Sequence, residues 1–139
     1  MSKMTEEMTY ATDPDLVAGR YLAAWSEPDA QRRRQAIASL WAPDGIEFVE
    51  GVQFRGHPGL EARIAEAHQA FVASGRYTVA SAADVTVHGD IVTFTIQLIS
   101  AGGDRAGQVA WAARVFLVLG ADGLIRQDYQ LTVQPLAAE

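Results

Sequence analysis

The order in which hydrophobic periods follow one another predicts an α+β fold: a curved, mostly antiparallel sheet wrapped around three N-terminal helices. Three observations carry this. Apolar residues recur at helical spacing in three segments before Gly75. From Arg76 onward the period changes to alternation, and turn signals divide the remainder into four strands. Only two short extended pieces, on either side of Gly51, interrupt the helical part.

The first helix starts after Thr12-Asp13-Pro14, where Thr12 or Asp13 can cap and Pro14 suits the first turn. Val17, Tyr21, Ala24 and Trp25 repeat at helical spacing to about Ser26, and Glu27-Pro28 breaks the helix. A second helix is predicted from about Asp29 to Trp41, with Ala36, Ile37, Leu40 and Trp41 as its apolar side. "APDG" closes it, Gly45 supplying a permissive backbone. "IEFVE" and "VQFRG" read as a hairpin-like pair around Gly51. The third helix lies in "RGHPGLEARIAEAHQAFVASG". Pro58 fits its first turn, Leu60, Ile64, Ala67 and Phe71 form its buried stripe, and Gly75 stops it. Breaks at His88-Gly89-Asp90, Ala101 to Asp104 and Gly120 to Gly123 separate the four long strands. "DIVTFTIQLIS" and "GQVAWAARVFLVL" are long and apolar enough to be central. In the last strand, alternation sets Ile125, Tyr129, Leu131 and Val133 on one face and Arg126, Asp128, Gln130 and Thr132 on the other.

The chain has 139 residues, 49% of them hydrophobic and 20% charged, which predicts one globular domain over 13–139 behind a disordered N-terminal segment at 1–12. That segment is polar and acidic with no apolar run, so neither signal peptide nor membrane span is expected, and the location expected is cytoplasmic. The absence of cysteine excludes disulfides, thiolate zinc sites and cysteine nucleophiles. His57, His68 and His88 fall in different elements without metal-ligand spacing, so no metal is expected. The net charge of −6 argues against a nucleic-acid partner. The run Arg32-Arg33-Arg34 reads as a solvated helix face.

"YLAAW" with its following "PD", then "LWAPDGIEFVEGVQFRGHPGLEARI", and the closing "ADGLIRQDYQL" span most of the chain from Asp13 to Pro135. In this order they resemble the nuclear-transport-factor-two-like superfamily, and within it the SnoaL-like polyketide cyclases and ketosteroid isomerases. The resemblance implies a single SnoaL-like domain whose cone-shaped, strongly curved sheet encloses an apolar internal pocket. It also implies a homodimer formed through the outer sheet face. It is weakly specific for activity, because this superfold hosts isomerases, cyclases, epoxide hydrolases and noncatalytic binders.

The resemblance sets Tyr21 where ketosteroid isomerases carry an oxyanion-donating tyrosine. A buried phenol at this spacing is also explained as core filler with its hydroxyl bonded locally. Glu50 lies near the isomerases' general base, with Glu47 the competing choice by alternation; an exposed edge-strand glutamate is the plainer account. The isomerases' second, protonated acid falls near Val115, in a strand with no carboxylate, which disfavours the complete isomerase apparatus. Arg114, one residue away, is the strand's only charge and points into the pocket if the following turn holds one extra residue. An Arg114–Asp128 pairing resembles limonene-epoxide-hydrolase-like proteins, but Ala112 and Phe116 stand where a second aspartate beside Arg114 is needed.

Asp128 is the strongest polar candidate: the resemblance implies a pocket-facing position for it, with Gln130 and Thr132 on its side and the apolar face of the strand turned outward into a dimer. Desolvated by Trp25, Phe71 and Trp111, it would have a raised pKa suited to acid/base work. An ordinary salt bridge to Arg114 or Arg126 explains it equally plainly. His68, beside the third helix's apolar stripe, is either a helix-edge histidine or a pocket-mouth group. His57 reads as a helix-start residue and His88 as a turn residue, and Trp25, Trp41 and Trp111 as core aromatics of which one or two can line a cavity.

Two functions follow. One is a cofactor-independent cyclase or isomerase acting by acid/base chemistry on an apolar, ring-containing metabolite. Asp128 and Tyr21 would be catalytic, and Trp25, Glu50, His68, Phe71, Trp111, Arg114, Gln130 and Thr132 would contact substrate. The other is a noncatalytic small-molecule binder or dimeric accessory domain of the same fold.

Overall fold

The computed structural model of the protein describes residues 13–136; the predicted disordered segment at 1–12 lies outside the described residues. Helix α1 spans Pro14–Ser26, with the Asp13 side chain accepting from the backbone N–H groups of Asp15 and Leu16. Helix α2 spans Ala30–Leu40 and is capped in the same way by Asp29. The predicted run of solvated arginines is corrected at one position. Arg33 is buried, and its guanidinium donates at 2.7 Å to the carbonyl of Glu27, one of the acceptors left open where α1 ends.

Trp41, predicted to end the second helix, opens strand β1 (Trp41–Val49). A two-residue turn at Glu50-Gly51, both at positive φ (52° and 77°), reverses the chain into β2 (Val52–Arg55). Helix α3 (Gly56–Ala67) is shorter than predicted and continues as one π-helical turn, His68–Val72. Leu60, Ile64 and, at the same four-residue step, His68 are buried; the wider turn beyond His68 spends an extra residue per hydrogen bond, and Phe71 is left half-buried.

The first predicted long strand is interrupted and forms two, β3 (Tyr77–Ser81) and β4 (Thr86–His88), which pair with successive parts of β5 (Ile91–Ser100). Asp84 occupies the gap and replaces the missing backbone acceptors: its carboxylate accepts from the Thr95 N–H at 2.8 Å and the Thr95 hydroxyl at 2.7 Å. Strands β6 (Val109–Leu119) and β7 (Ile125–Gln134) complete a seven-stranded sheet in the order β2-β1-β7-β6-β5-β3, with β4 beside β5. Only β1 and β7 run parallel.

Val92, Phe94 and Ile96 of β5 and Ala113, Val115, Leu117 and Leu119 of β6 form the inner face of the sheet. They pack on Val17, Tyr21, Ala24, Ile37, Leu60 and Ile64 of the helices. The inner face therefore takes Val115 and not Arg114. Arg114 stands on the opposite face, ion-paired to Asp84 at 2.7 Å and within 3.2 Å of the Thr95 hydroxyl. This corrects its expected place in the pocket: no extra residue shifts the register of β6 at that point, so strict alternation holds.

The last strand departs from simple alternation. Leu119 pairs with Ile125 but Val118 pairs with Gln127, so Arg126 is an extra residue that bulges out of the ladder. This bulge reverses the facing of the residues beyond it as far as a second irregularity at Val133, the extra residue between Thr132 opposite Ala113 and Gln134 opposite Ala112. Ile125 and, three residues on, Asp128 both point inward and both have no exposed surface. Tyr129, Leu131 and Val133 are the ones turned out. A matching irregularity in β1, between Trp41 and Ile46, keeps β1 against β7 and brings Glu47 opposite Asp128. Gly45 sits in that irregularity, where an added Cβ would lie 3.0 Å from the Ile125 carbonyl oxygen and 3.1 Å from that of Ala42. Close approach, not an unusual φ, is why this position takes glycine.

Candidate ligand-binding site

A cavity of about 360 Å3 opens on the inner side of the sheet beyond the apolar core. Trp25, Ala67, His68, Phe71, Ile96 and Trp111 form its walls, and Glu50 and Thr132 stand on its rim, where the Thr132 hydroxyl donates to the Glu50 carboxylate at 2.7 Å. At its inner end the lining turns polar, with Arg63 and Gln130.

Behind them lies a ring of side chains, buried except for the half-buried Arg63. Gln130 Nε2 donates to the Tyr21 hydroxyl at 2.7 Å, and that hydroxyl donates to Asp128 Oδ2 at 2.9 Å. Arg63 Nε donates to Glu47 Oε1 at 2.9 Å, and Arg63 Nη2 reaches Gln130 Oε1 at 3.5 Å. The two carboxyl groups stand opposite each other on neighbouring strands: Asp128 Oδ1 and Glu47 Oε2 are both buried with no hydrogen-bond partner, so only a proton carried on one carboxyl can serve the other. Burial raises both carboxyls above their ordinary values. Asp128 rises well above, because the Glu47 charge adds to its desolvation, whereas Arg63 opposes the rise of Glu47. Asp128 is thus the acid that keeps its proton and donates it to Glu47. Burial, and then the acidic pair Asp128 and Glu47 with its one negative charge, likewise push the Tyr21 phenol well above its usual range. Tyr21 is a proton donor here and not a phenolate.

The guanidinium of Arg63 lies over the rings of Trp25 and Phe54, 5.1 and 5.5 Å from their centroids. This stacking fixes its plane, and Glu47 fixes its edge. His68 is buried in the cavity wall, where desolvation and then the nearby Arg33 charge lower its pKa and keep the imidazole neutral. Among the described residues no group of three or more His, Asp or Glu side chains is placed to hold a metal ion.

Of the residues singled out in the sequence, Trp25, Glu50, His68, Phe71, Trp111, Gln130 and Thr132 line the cavity. Tyr21 and Asp128 do not: they are fully buried one layer behind Gln130. Neither arginine expected as a partner of Asp128 reaches it, since Arg126 lies 3.7 Å from Asp44 and 3.6 Å from Asp122, and Arg114 is across the sheet. Between the two glutamates left open, Glu47 is the buried member of the ring and Glu50 the rim residue. Trp41 is core, and His57 at the start of α3 contacts the Trp41 carbonyl oxygen at 2.9 Å through its Nε2. Sequence reasoning missed Arg63. Its signal was an arginine adjoining the buried stripe, three residues after Leu60 and one before Ile64.

No protein-family model matches the sequence, and no curated protein does. Solved structures do. A proposed isomerase of the SnoaL-like family from Agrobacterium tumefaciens is 29% identical with a TM-score of 0.75, over 87% of this chain and 97% of that one. A proposed polyketide cyclase from Sinorhizobium meliloti is 18% identical with a TM-score of 0.61, over 82% and 92%. A protein of ketosteroid isomerase-like fold from Catenulispora acidiphila, solved in complex with trimethylamine, is 17% identical with a TM-score of 0.60, over 82% of each chain. The last two show the fold alone.

Proposed function

We propose that this chain, a member of the nuclear-transport-factor-two-like superfamily, binds an apolar, ring-containing small molecule in its interior cavity. The observation that carries this is a largely apolar cavity ending in two oriented polar groups, Arg63 and Gln130, held from behind by Glu47 and Tyr21 respectively. That is the usual composition of a small-molecule site: apolar walls for affinity and a few fixed polar groups for orientation. A neutral aromatic probe such as 1-aminoanthracene should bind saturably, one per chain, with enhanced probe fluorescence. Ala67→Phe, which fills the cavity from its wall, should abolish the enhancement. Equal binding by this variant would place the probe elsewhere and refute the assignment.

A second reading is cofactor-independent acid/base catalysis, as in a cyclase or isomerase; the proton held between Glu47 and Asp128 favours it. Asp128 would pass its proton to the Glu47 carboxylate and take the alpha proton of substrate in its place once Gln130 moves aside, and Tyr21 would turn its hydroxyl from Asp128 to the developing oxyanion. Proton–deuterium exchange alpha to the carbonyl of 1-tetralone, followed by NMR, tests it. Enzyme-dependent exchange lost in Asp128→Asn supports the reading, and a rate equal to that of buffer rejects it for this class of substrate.

We further propose a homodimer formed through the outer sheet face and a cytoplasmic location. Phe48 and Tyr129 stack there at 4.7 Å between centroids, and Leu131 and Val133 beside them are 57% and 63% exposed. No helix among the described residues is long and apolar enough to cross a membrane.

A further inference from the structure

The inner end of the cavity is rich in donors and short of acceptors. Arg63 spends Nε on Glu47 and Nη2, at 3.5 Å, on Gln130. Its Nη1 donates to nothing among the described residues and is not sealed in. Trp25, which borders the same cavity and lies under the guanidinium, buries an indole N–H with no acceptor. The Gln130 amide is oriented by its neighbours, with its oxygen toward Arg63 and its nitrogen toward Tyr21. The groups at this end that have no partner are both donors, Arg63 Nη1 and the Trp25 indole N–H.

Charge narrows the ligand further. Two carboxyl groups that face each other on neighbouring strands, with no other donor for Glu47 Oε2 and Asp128 Oδ1, hold one proton between them and one negative charge. Arg63 supplies one positive charge at 2.9 Å. The ring is therefore neutral before any ligand arrives. An anion entering this apolar cavity would bring a charge with no counter-charge left to meet it, at a desolvation cost that grows with burial. A neutral oxygen acceptor brings no such cost, and it completes the unspent guanidinium donor.

We propose that Arg63 is the specificity-determining residue of the cavity, selecting an uncharged apolar ligand that presents a hydrogen-bond acceptor to Nη1 over an anion or a hydrocarbon of the same shape. The inference rests on the cavity being a ligand site, and it assigns the ligand's polar group. It does not depend on whether the protein is a catalyst.

The test is calorimetric titration with a matched bicyclic set: tetralin, 2-tetralone and tetralin-2-carboxylate. The expected order is tetralone tightest, by about 10-fold over tetralin for a hydrogen bond to a charged donor, with the carboxylate weakest. Arg63→Gln combined with Glu47→Gln removes both charges together and leaves no buried carboxylate without its arginine. In that double variant the advantage of the ketone over the hydrocarbon should vanish while tetralin affinity stays within about 2-fold. Arg63→Lys, which keeps the charge and loses the planar fork, should retain part of the advantage. Tight carboxylate binding, or a ketone preference that survives the double variant in folded protein, overturns the role of Arg63 and leaves the cavity reading intact. If none of the three compounds binds wild-type protein, it is the cavity reading that fails.

Discussion

Replacing Asp128 by Asn should leave the fold nearly as stable as wild type, although the residue is completely buried and sits at the centre of the polar ring. The reason is the position of the proton. A protonated aspartic acid donates through one oxygen and accepts through the other. Here Oδ2 accepts from the Tyr21 hydroxyl at 2.9 Å and Oδ1 carries the proton toward Glu47. An asparagine amide reproduces both functions, oxygen for Oδ2 and NH2 for the protonated Oδ1. With both hydrogen bonds kept, the change should be within about 1 kcal/mol. Asp128→Leu removes both partners, leaving the Tyr21 hydroxyl and Glu47 Oε2 unsatisfied at about 1–3 kcal/mol each, roughly 2–6 kcal/mol in all. Glu47→Gln strips Arg63 of its counter-charge. Because the Arg63 side chain keeps 22% of its surface exposed, solvent offsets part of that loss, and about 1–3 kcal/mol is expected. Urea denaturation at pH 7, read as a shift of midpoint at constant slope, measures all three. If Glu47→Gln is tolerated while Asp128→Asn costs 2 kcal/mol or more, the proton resides on Glu47 and the assignment of donor and acceptor in the ring is wrong.

The same proton sets a pH dependence. Asp128 has its pKa raised in the folded state above the unfolded value of about 3.9, so between those two values the native chain binds more protons than the unfolded one. Its contribution to stability is therefore complete below the unfolded pKa and is lost as pH rises through the raised native pKa. A series of urea midpoints from pH 5 to 9 should fall for wild type with a slope that Asp128→Asn reduces; identical slopes would contradict it. Gly45→Ala should destabilise by about 1–3 kcal/mol, since the new methyl meets two backbone oxygens at 3.0–3.1 Å that cannot swing away; an unchanged melting temperature would show that the β1 irregularity relaxes freely. Leu131→Asp with Val133→Asp should yield a monomer in sedimentation without loss of cavity binding, and a persistent dimer would move the interface elsewhere.

Most of the fold was legible in the sequence because its punctuation is strong. Asp13 and Asp29 do cap helices, and the Glu50-Gly51 and Gly120–Gly123 turns fall where turn residues cluster. What escaped was everything that depends on an irregular backbone step. The resemblance already implies an inward Asp128 and an outward Tyr129, Leu131 and Val133; the bulge at Arg126, which has no marker of its own, is what lets Ile125 share the inner face with Asp128. Period-two counting sets those two on opposite faces. The π-helical turn at His68 similarly hides within a helical pattern. The break at Asp84 could be seen only through the tertiary bonds to Thr95 and Arg114 that take over from the ladder. The aspartate of the closing strand was legible as an inward, raised-pKa acid, and the cavity residues around it largely so. Its partners were not. Glu47 and Arg63 meet it only because β1 lies parallel to β7, a non-local pairing that no local pattern encodes.

The three tryptophans report directly on whether the interior cavity takes up a ligand. Trp25 and Trp111 border the cavity, whereas Trp41 is fully buried in the core and does not line it. In an NMR titration with 2-tetralone, the indole N–H resonances of Trp25 and Trp111 should shift saturably and in parallel, with Trp41 nearly still. Trp25 should shift most, because its N–H begins without an acceptor beneath Arg63. Three stationary resonances at saturating ligand, or a shift dominated by Trp41, would contradict the claim that this interior is a binding site.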